Sequence, residues 1–311
     1  MMKHLVTGGA GFIGSHLVDR LIADGNEVIV IDDHSSEANE KFYHNEKARY
    51  FDCSVTDFDS IFPLFHEIDV VYHLAAESRI QPCIKNPRLA VETNVVGMCN
   101  VLECSRHNGV GRVIYSSTSS AYGLLPLPHK EDGKKDCSLN PYSVTKAAAE
   151  DLCVLYHRLY GLETVIFRYF NVYGDRQPTR GQYAPVIGIF MDRRNKKNAM
   201  SVVGDGEQRR DYVNVHDVVN ANVLASVSEN RNILGEIFNV GTGKNYSVND
   251  IVEMICMTDG NAAAVEGKDF EFVENRPGES RITLANIDKI QNMMGWFPQV
   301  ELKDWIDGKF V

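Results

Sequence analysis

The apolar positions of the chain switch between two periods from its first residues onward. Residues 3–7 place Leu5 and Val6 inside a short strand-like run. Phe12, Ile13, Leu17, Val18, Leu21 and Ile22 then recur at helical spacing, so a helix is predicted to open at Phe12. Further strands are predicted at residues 27–31, 49–51, 69–74, 112–116 and 164–168, with helices over 57–66, 89–108 and 142–160. Apolar strands alternating with helices imply right-handed crossovers and an α/β fold built on a doubly wound parallel sheet. From about Asn171 the rhythm breaks into short elements separated by loops at 174–185, 204–211 and 275–280. This predicts one domain over 1–170 and a smaller interleaved C-terminal substrate-binding lobe over 171–311, with residues of about 212–242 returning to the first domain. Ligands of such sheets bind beyond the carboxyl ends of the strands. That singles out Asp32, Asp33, Asp52, residues 75–80, residues 117–120 and residues 169–171.

Glycines sharpen the picture at the first turn. Gly8, Gly11 and Gly14 form G-x-x-G-x-x-G between strand and helix, where bare backbone N–H groups and the positive helix end suit a pyrophosphate. The second strand ends at Asp32, eighteen positions after Gly14, close to the offset at which an acid meets the adenosine ribose of a dinucleotide. A carboxylate there repels a 2′-phosphate, which favours NAD over NADP.

Composition then excludes several classes. A net charge of −10 over 311 residues argues against a nucleic-acid partner, because phosphate binding needs a basic surface. No stretch approaches the length of a membrane span, and the first apolar run is too short for a signal segment, so a cytoplasmic protein is expected. The seven cysteines include no C-x-x-C pair; neither a metal site nor a disulfide framework is expected.

Candidate chemistry follows the fifth strand. Asn140 and Pro141 suit the cap and first position of a helix that begins Tyr142-Ser143-Val144-Thr145-Lys146. Tyr142 and Lys146 share one helix face, and an ammonium beside a phenol of ordinary pKa about 10 favours the phenolate. Such a pair takes a proton from an alcohol while hydride leaves to NAD. A Y-x-x-x-K spacing also occurs as a mere surface pair. Here it follows the glycine fingerprint and a hydroxyl cluster over residues 116–120, which turns the reading toward chemistry.

Over nearly its whole length the chain resembles the extended short-chain dehydrogenase/reductases, specifically nucleotide-sugar 4-epimerases acting on UDP-glucose or UDP-N-acetylglucosamine. The resemblance is carried by Thr7-Gly8-Gly9-Ala10-Gly11-Phe12-Ile13-Gly14, His73-Leu74-Ala75-Ala76, Asn94-Val95-Val96-Gly97, Ser116-Ser117-Thr118 ahead of Tyr122-Gly123, and Pro141-Tyr142 to Lys146. It continues through Arg168-Tyr169-Phe170-Asn171-Val172-Tyr173-Gly174, Arg209-Arg210-Asp211-Tyr212 and Arg276-Pro277-Gly278. It implies a Rossmann domain and a homodimer joined through the helices predicted at 89–108 and 142–160. The catalytic set is Thr118, Tyr142 and Lys146: Tyr142 is the acid/base, Lys146 its tuner and a ligand of the nicotinamide ribose, and Thr118 bonds the C4 hydroxyl. NAD would contact Gly8, Gly11, Phe12, Ile13, Gly14, Asp32, Asp33, Ser35, Ser36, Asp52, Cys53, Leu74, Ala75, Ala76, Asn94, Ser116 and Tyr169, besides Tyr142 and Lys146. A UDP-sugar would contact Ser78, Arg79, Thr118, Ser119, Tyr142, Asn171, Gln182, Tyr183, Ser201, Val203, Arg210, Arg276 and Thr283. Asn171, Arg210 and Arg276 would hold its diphosphate, and Ser201 and Val203 its base. Thr283, five positions past Gly278, falls where hexose-restricted epimerases carry tyrosine, so an acetamido group is expected to fit.

Three rivals share the scaffold. A 4,6-dehydratase places Asp-Glu directly after the threonine, where this chain has Ser119 and Ser120. A uronate epimerase or decarboxylase needs a cation for the substrate carboxylate, which Arg79 could supply unless it only pairs with Glu77. A catalytically silent nucleotide- or RNA-binding relative would keep the fold without the chemistry.

Overall fold

The computed structural model describes residues 1–36, 39, 41–179, 184–258, 267–274, 278 and 280–309. Its centre is a seven-stranded, all-parallel sheet of β1 (Lys3–Thr7), β2 (Glu27–Ile31), β3 (Arg49–Phe51), β4 (Val70–His73), β5 (Arg112–Thr118), β6 (Glu163–Tyr169) and β10 (Ile237–Val240). The order is β10-β6-β5-β4-β1-β2-β3, so the winding reverses between β1 and β4 and opens a crevice at their carboxyl ends. Before β10 the chain forms β7 (Asn171–Tyr173), β8 (Met200–Val203) and β9 (Arg209–Asn214); after it come β11 (Asn245–Ser247) and β12 (Phe270–Val273). These five make a β11-β9-β7 sheet and a β12-β8 pair beside that crevice.

Alternation along the strands explains why both faces are covered. Val6, Val30, Tyr72, Ile114 and Phe167 face one way, against Leu17, Val18 and Leu21 of the helix Phe12–Ala23 and Val218 and Ala225 of the helix Val215–Val227. Leu5, Ile29, Val71, Val113 and Ile166 face the other, against Met98, Val101 and Leu102 of Gly97–Asn108 and Ala149 and Cys153 of Pro141–Tyr160. A third apolar cluster, with Tyr173, Phe190, Val202, Tyr212 and Ile251, holds the second lobe.

Several predicted boundaries move. The helix expected over 57–66 is a short one, Phe58–Ile61, capped by Asp57 and tightened into a 3-10 turn at Phe62–Phe65, because Pro63 has no N–H to continue the ladder. The helix expected over 89–108 is divided: Pro87–Val91, a π-helical turn at Glu92–Val96, then Gly97–Asn108. The fourth strand stops at His73, while the fifth runs on to Thr118, which brings the hydroxyl cluster to the sheet edge. Among the described residues no helix is long and apolar enough to cross a membrane.

Candidate active site

The glycine turn is shaped by close backbone packing. Gly8 lies at φ +70°, and a Cβ there would stand 2.7 Å from the amide nitrogen of Ala75. A Cβ at Gly14 would come within 2.8 Å of the Gly9 Cα, so the helix Phe12–Ala23 can start this close to β1 only without a side chain. Asp32 follows β2 and accepts from the Ala10 N–H (2.9 Å) and the His34 N–H (3.0 Å), which fixes its carboxylate at the cavity wall.

The cavity has a volume of about 530 Å³, within the range of small-molecule sites. Most of the expected residues line it. On the glycine side these are Gly8, Gly11, Phe12, Ile13, Gly14, Asp32, Asp33, Ser35, Ser36, Cys53, Leu74, Ala75 and Ala76. At the sheet edge and the helix Pro141–Tyr160 they are Ser78, Arg79, Ser116, Thr118, Ser119, Tyr142, Lys146 and Tyr169. On the second lobe they are Asn171, Ser201, Val203, Arg210 and Thr283. Gln182, Tyr183 and Arg276 lie outside the described residues. The narrow glycine turn, an open helix N-terminus and an acid at the end of β2 together fit a dinucleotide at the first of these regions.

Two expected cofactor contacts are not among the residues that line the cavity. Asp52 does not line the cavity; its side chain is 80 % exposed and stands 3.8 Å from His34. Asn94 is buried in the π turn, where its amide bonds both the N–H (2.8 Å) and the C=O (3.1 Å) of Glu77 and the hydroxyl of Thr145. It therefore braces the loop after β4 against the helix Pro141–Tyr160.

The N-terminus of the helix Pro141–Tyr160 is fixed at three points. Asn140 caps it by accepting from the Ser143 N–H (2.8 Å) and donates to the Gly278 carbonyl (2.9 Å), tying the helix to the second lobe. Two turns further on, Glu150 accepts two bonds from Arg168 of β6 (2.9 and 2.7 Å) and one from the Ser117 hydroxyl of β5 (2.6 Å), while Lys135 stands 3.3 Å away. Burial pushes the Glu150 carboxyl up, but these donors and positive charges hold it below the usual carboxylate range. Sequence reasoning missed this clamp. It also missed Asn222, whose amide donates to the Tyr169 hydroxyl (2.7 Å) beside Ser116.

Tyr142 and Lys146 both line the cavity from the helix Pro141–Tyr160. The Lys146 ammonium lies 4.4 Å from the centroid of the Tyr115 ring, and no hydrogen bond joins it to Tyr142. Burial pushes Lys146 down to about 7 against the opposing pull of Glu150. Burial raises the Tyr142 phenol; the Thr118 hydroxyl and the Arg79 charge oppose this, and Cys83 adds to it. Burial lowers the Arg79 guanidinium, while the Tyr142 and Glu77 charges oppose it.

On the second lobe, strand alternation in β9 separates the two arginines. Arg209 turns to Asp250 (3.1 Å) and Asn245, whereas Arg210 lines the cavity with Nη1 donating to the Arg281 carbonyl (2.9 Å). The Asn171 amide donates to the Asp211 carbonyl (2.9 Å) and the Thr283 hydroxyl (3.3 Å). Thr283 is buried at the wall, not turned to solvent.

A sequence profile described as GDP-mannose 4,6 dehydratase matches residues 5–308. The chain belongs to this family of extended short-chain dehydrogenase/reductases. Within the family it is similar to the UDP-glucose 4-epimerase of Thermotoga maritima, solved with UDP-glucose: TM-score 0.91, 34 % identity, 99 % of this chain and 97 % of that one covered. It is likewise similar to the UDP-N-acetylglucosamine 4-epimerase of Methanobrevibacter ruminantium M1 in complex with UDP-N-acetylmuramic acid, at TM-score 0.90 and 30 % identity over 99 % and 97 % of the two chains. The UDP-glucuronic acid 4-epimerase of Bacillus cereus, in complex with UDP-glucuronic acid and NAD, matches at TM-score 0.87 and 31 % identity over 99 % and 98 %. Ser119 and Ser120 follow Thr118 and supply no carboxyl group there.

Proposed function

We propose that the protein is a UDP-sugar 4-epimerase that retains NAD and accepts UDP-N-acetylglucosamine and UDP-N-acetylgalactosamine, with UDP-glucose and UDP-galactose as further substrates. The observation that carries this is the position of Thr118 and Tyr142 where the glycine-lined and Arg210-lined halves of one cavity meet. NAD bound on the glycine side supplies a hydride acceptor and donor. Thr118 holds the C4 hydroxyl and Tyr142 takes its proton. The 4-keto sugar then turns over in the pocket and receives hydride and proton on its other face, inverting C4. Arg210 and the Asn171 segment grip the diphosphate, so binding energy rests on the nucleotide and leaves the sugar free to turn. Incubation with a panel of UDP-sugars followed by NMR of the products tests the reading; no C4 inversion of any of them overturns it.

Two variants test its parts. Asp32→Ala removes the acceptor poised for the ribose, so less NAD should copurify and the preference against NADP should narrow, as read by absorbance and chromatography of released nucleotide. Wild-type protein carrying NADP contradicts the assignment. Thr283→Tyr fills the wall beside Asn171; activity on the acetylated pair should fall far more than on UDP-glucose. Equal losses on both classes would sink Thr283 as the gate.

UDP-glucuronate is the competing substrate, favoured by the cationic Arg79 in the cavity wall. A homodimer is supported by apolar side chains left exposed on the helix Pro141–Tyr160, among them Val144, Leu155 and Leu159.

A further inference from the structure

Residues 41–45, between β2 and β3, return to the glycine turn. The Tyr43 N–H donates to the Ala10 carbonyl (2.9 Å), while the Ala10 N–H donates to Asp32 (2.9 Å), so Ala10 ties this arm to the acid at the end of β2. Phe42 of the arm joins Asp32 in the cavity wall. A further contact reaches the arm from the second lobe. Arg176, in the turn after β7, places its guanidinium carbon 5.0 Å from the centroid of the Tyr43 ring, and its Nη2 donates to Asp19 Oδ2 (2.6 Å). The other oxygen of Asp19 accepts from the Asn45 amide (2.7 Å), so Arg176 and the arm share one carboxylate of the helix Phe12–Ala23. Lys41 also lies 5.1 Å from the Tyr43 ring, but it belongs to the arm and ties it to nothing else there.

The turn that carries Arg176 is itself held. The His16 Nε2–H donates to the Asp175 carbonyl (2.7 Å), and the Asp175 carboxylate pairs with Lys309. Arg176 lies at φ +64°, a left-handed position uncommon outside glycine, so a side chain is kept where glycine would be the easier residue. We propose that Arg176 is a positioning residue for the dinucleotide, a clasp that pins the 41–45 arm beside Asp32 and thereby slows cofactor release. This rests on the retained-NAD reading above. Neither Arg176 nor Tyr43 belongs to an apolar core cluster, so the clasp acts on the residence of the cofactor and not on folding.

Protein loaded with NADH and chased with excess NAD gives the release rate from the decay of bound NADH fluorescence. Arg176→Ala should release NADH roughly tenfold faster than wild type, with its urea midpoint unchanged, because a part-exposed cation–π contact and ion pair are lost together. Arg176→Ala/Tyr43→Leu should release it no faster than Arg176→Ala alone, since both substitutions remove one contact. Trypsin should cut the nucleotide-free Arg176→Ala protein after Lys41 and Lys47 sooner than wild type. Release at the wild-type rate overturns the proposal. So do additive effects in the double variant, or a lowered urea midpoint that accounts for the faster release, which would make Arg176 merely structural. A wild type that binds no NADH overturns the cofactor reading instead, and the trypsin pattern still decides whether Arg176 pins the arm.

Discussion

Tyr142→Phe should fold, keep its bound nucleotide and lose at least about a hundredfold in turnover, the usual scale for a missing general base. The fold should survive because the phenol hydroxyl is not part of the Glu150–Arg168–Ser117 clamp that holds its helix. The nucleotide should stay because the glycine turn and Asp32 are built from other elements. The loss should appear in kcat with KM little changed, since the ring remains and only the proton acceptor is gone. Absorbance of the retained nucleotide and NMR of UDP-sugar products read the two halves separately. Near-normal epimerisation by this variant would take Tyr142 out of the mechanism.

Much of this site was legible because it depends on local pattern. Period-two strands, a period-3.6 helix and three glycines between them are short-range signals, and they placed the first crossover and Asp32 correctly. Tyr142 was legible as the first turn of a capped helix. The direction of side chains was not. Four-residue spacing puts Lys146 on the same face as Tyr142, but says nothing of the Tyr115 ring that its ammonium rests against. The π turn that holds Asn94 against Glu77 has no signature in hydrophobic spacing. The Glu150–Arg168 clamp joins positions eighteen apart through tertiary packing, which periodicity cannot express.

That clamp leads to the second large effect. Glu150→Ala should cost about 3–5 kcal/mol of stability to urea, because it strands Arg168 in the interior with its bidentate partner removed. The double variant Glu150→Ala/Arg168→Met should recover most of the loss, since no charge is then left buried. A single variant within about 1 kcal/mol of wild type would show that solvent already compensates the buried Arg168 charge. The pH dependence has a definite sign. The folded state holds the Glu150 carboxyl below its ordinary value, so the stability it contributes is present at neutral pH. It is lost as pH falls below the usual carboxylate range and through the depressed folded value.

The return of β10 to the edge of the main sheet has a mechanical consequence. The chain leaves that sheet after β6, comes back as Val215–Val227 and β10, and leaves again toward β11. Later the chain returns once more as Asp288–Met294 against β10 and ends in the second lobe as Leu302–Asp307, so a swing of the lobes about a single hinge would have to bend several covalent crossings together. Opening of the kind seen in two-domain proteins joined by one linker is disfavoured. Under the epimerase reading, a wall spacing held in this way would let a freed sugar turn over without losing its alignment to either face.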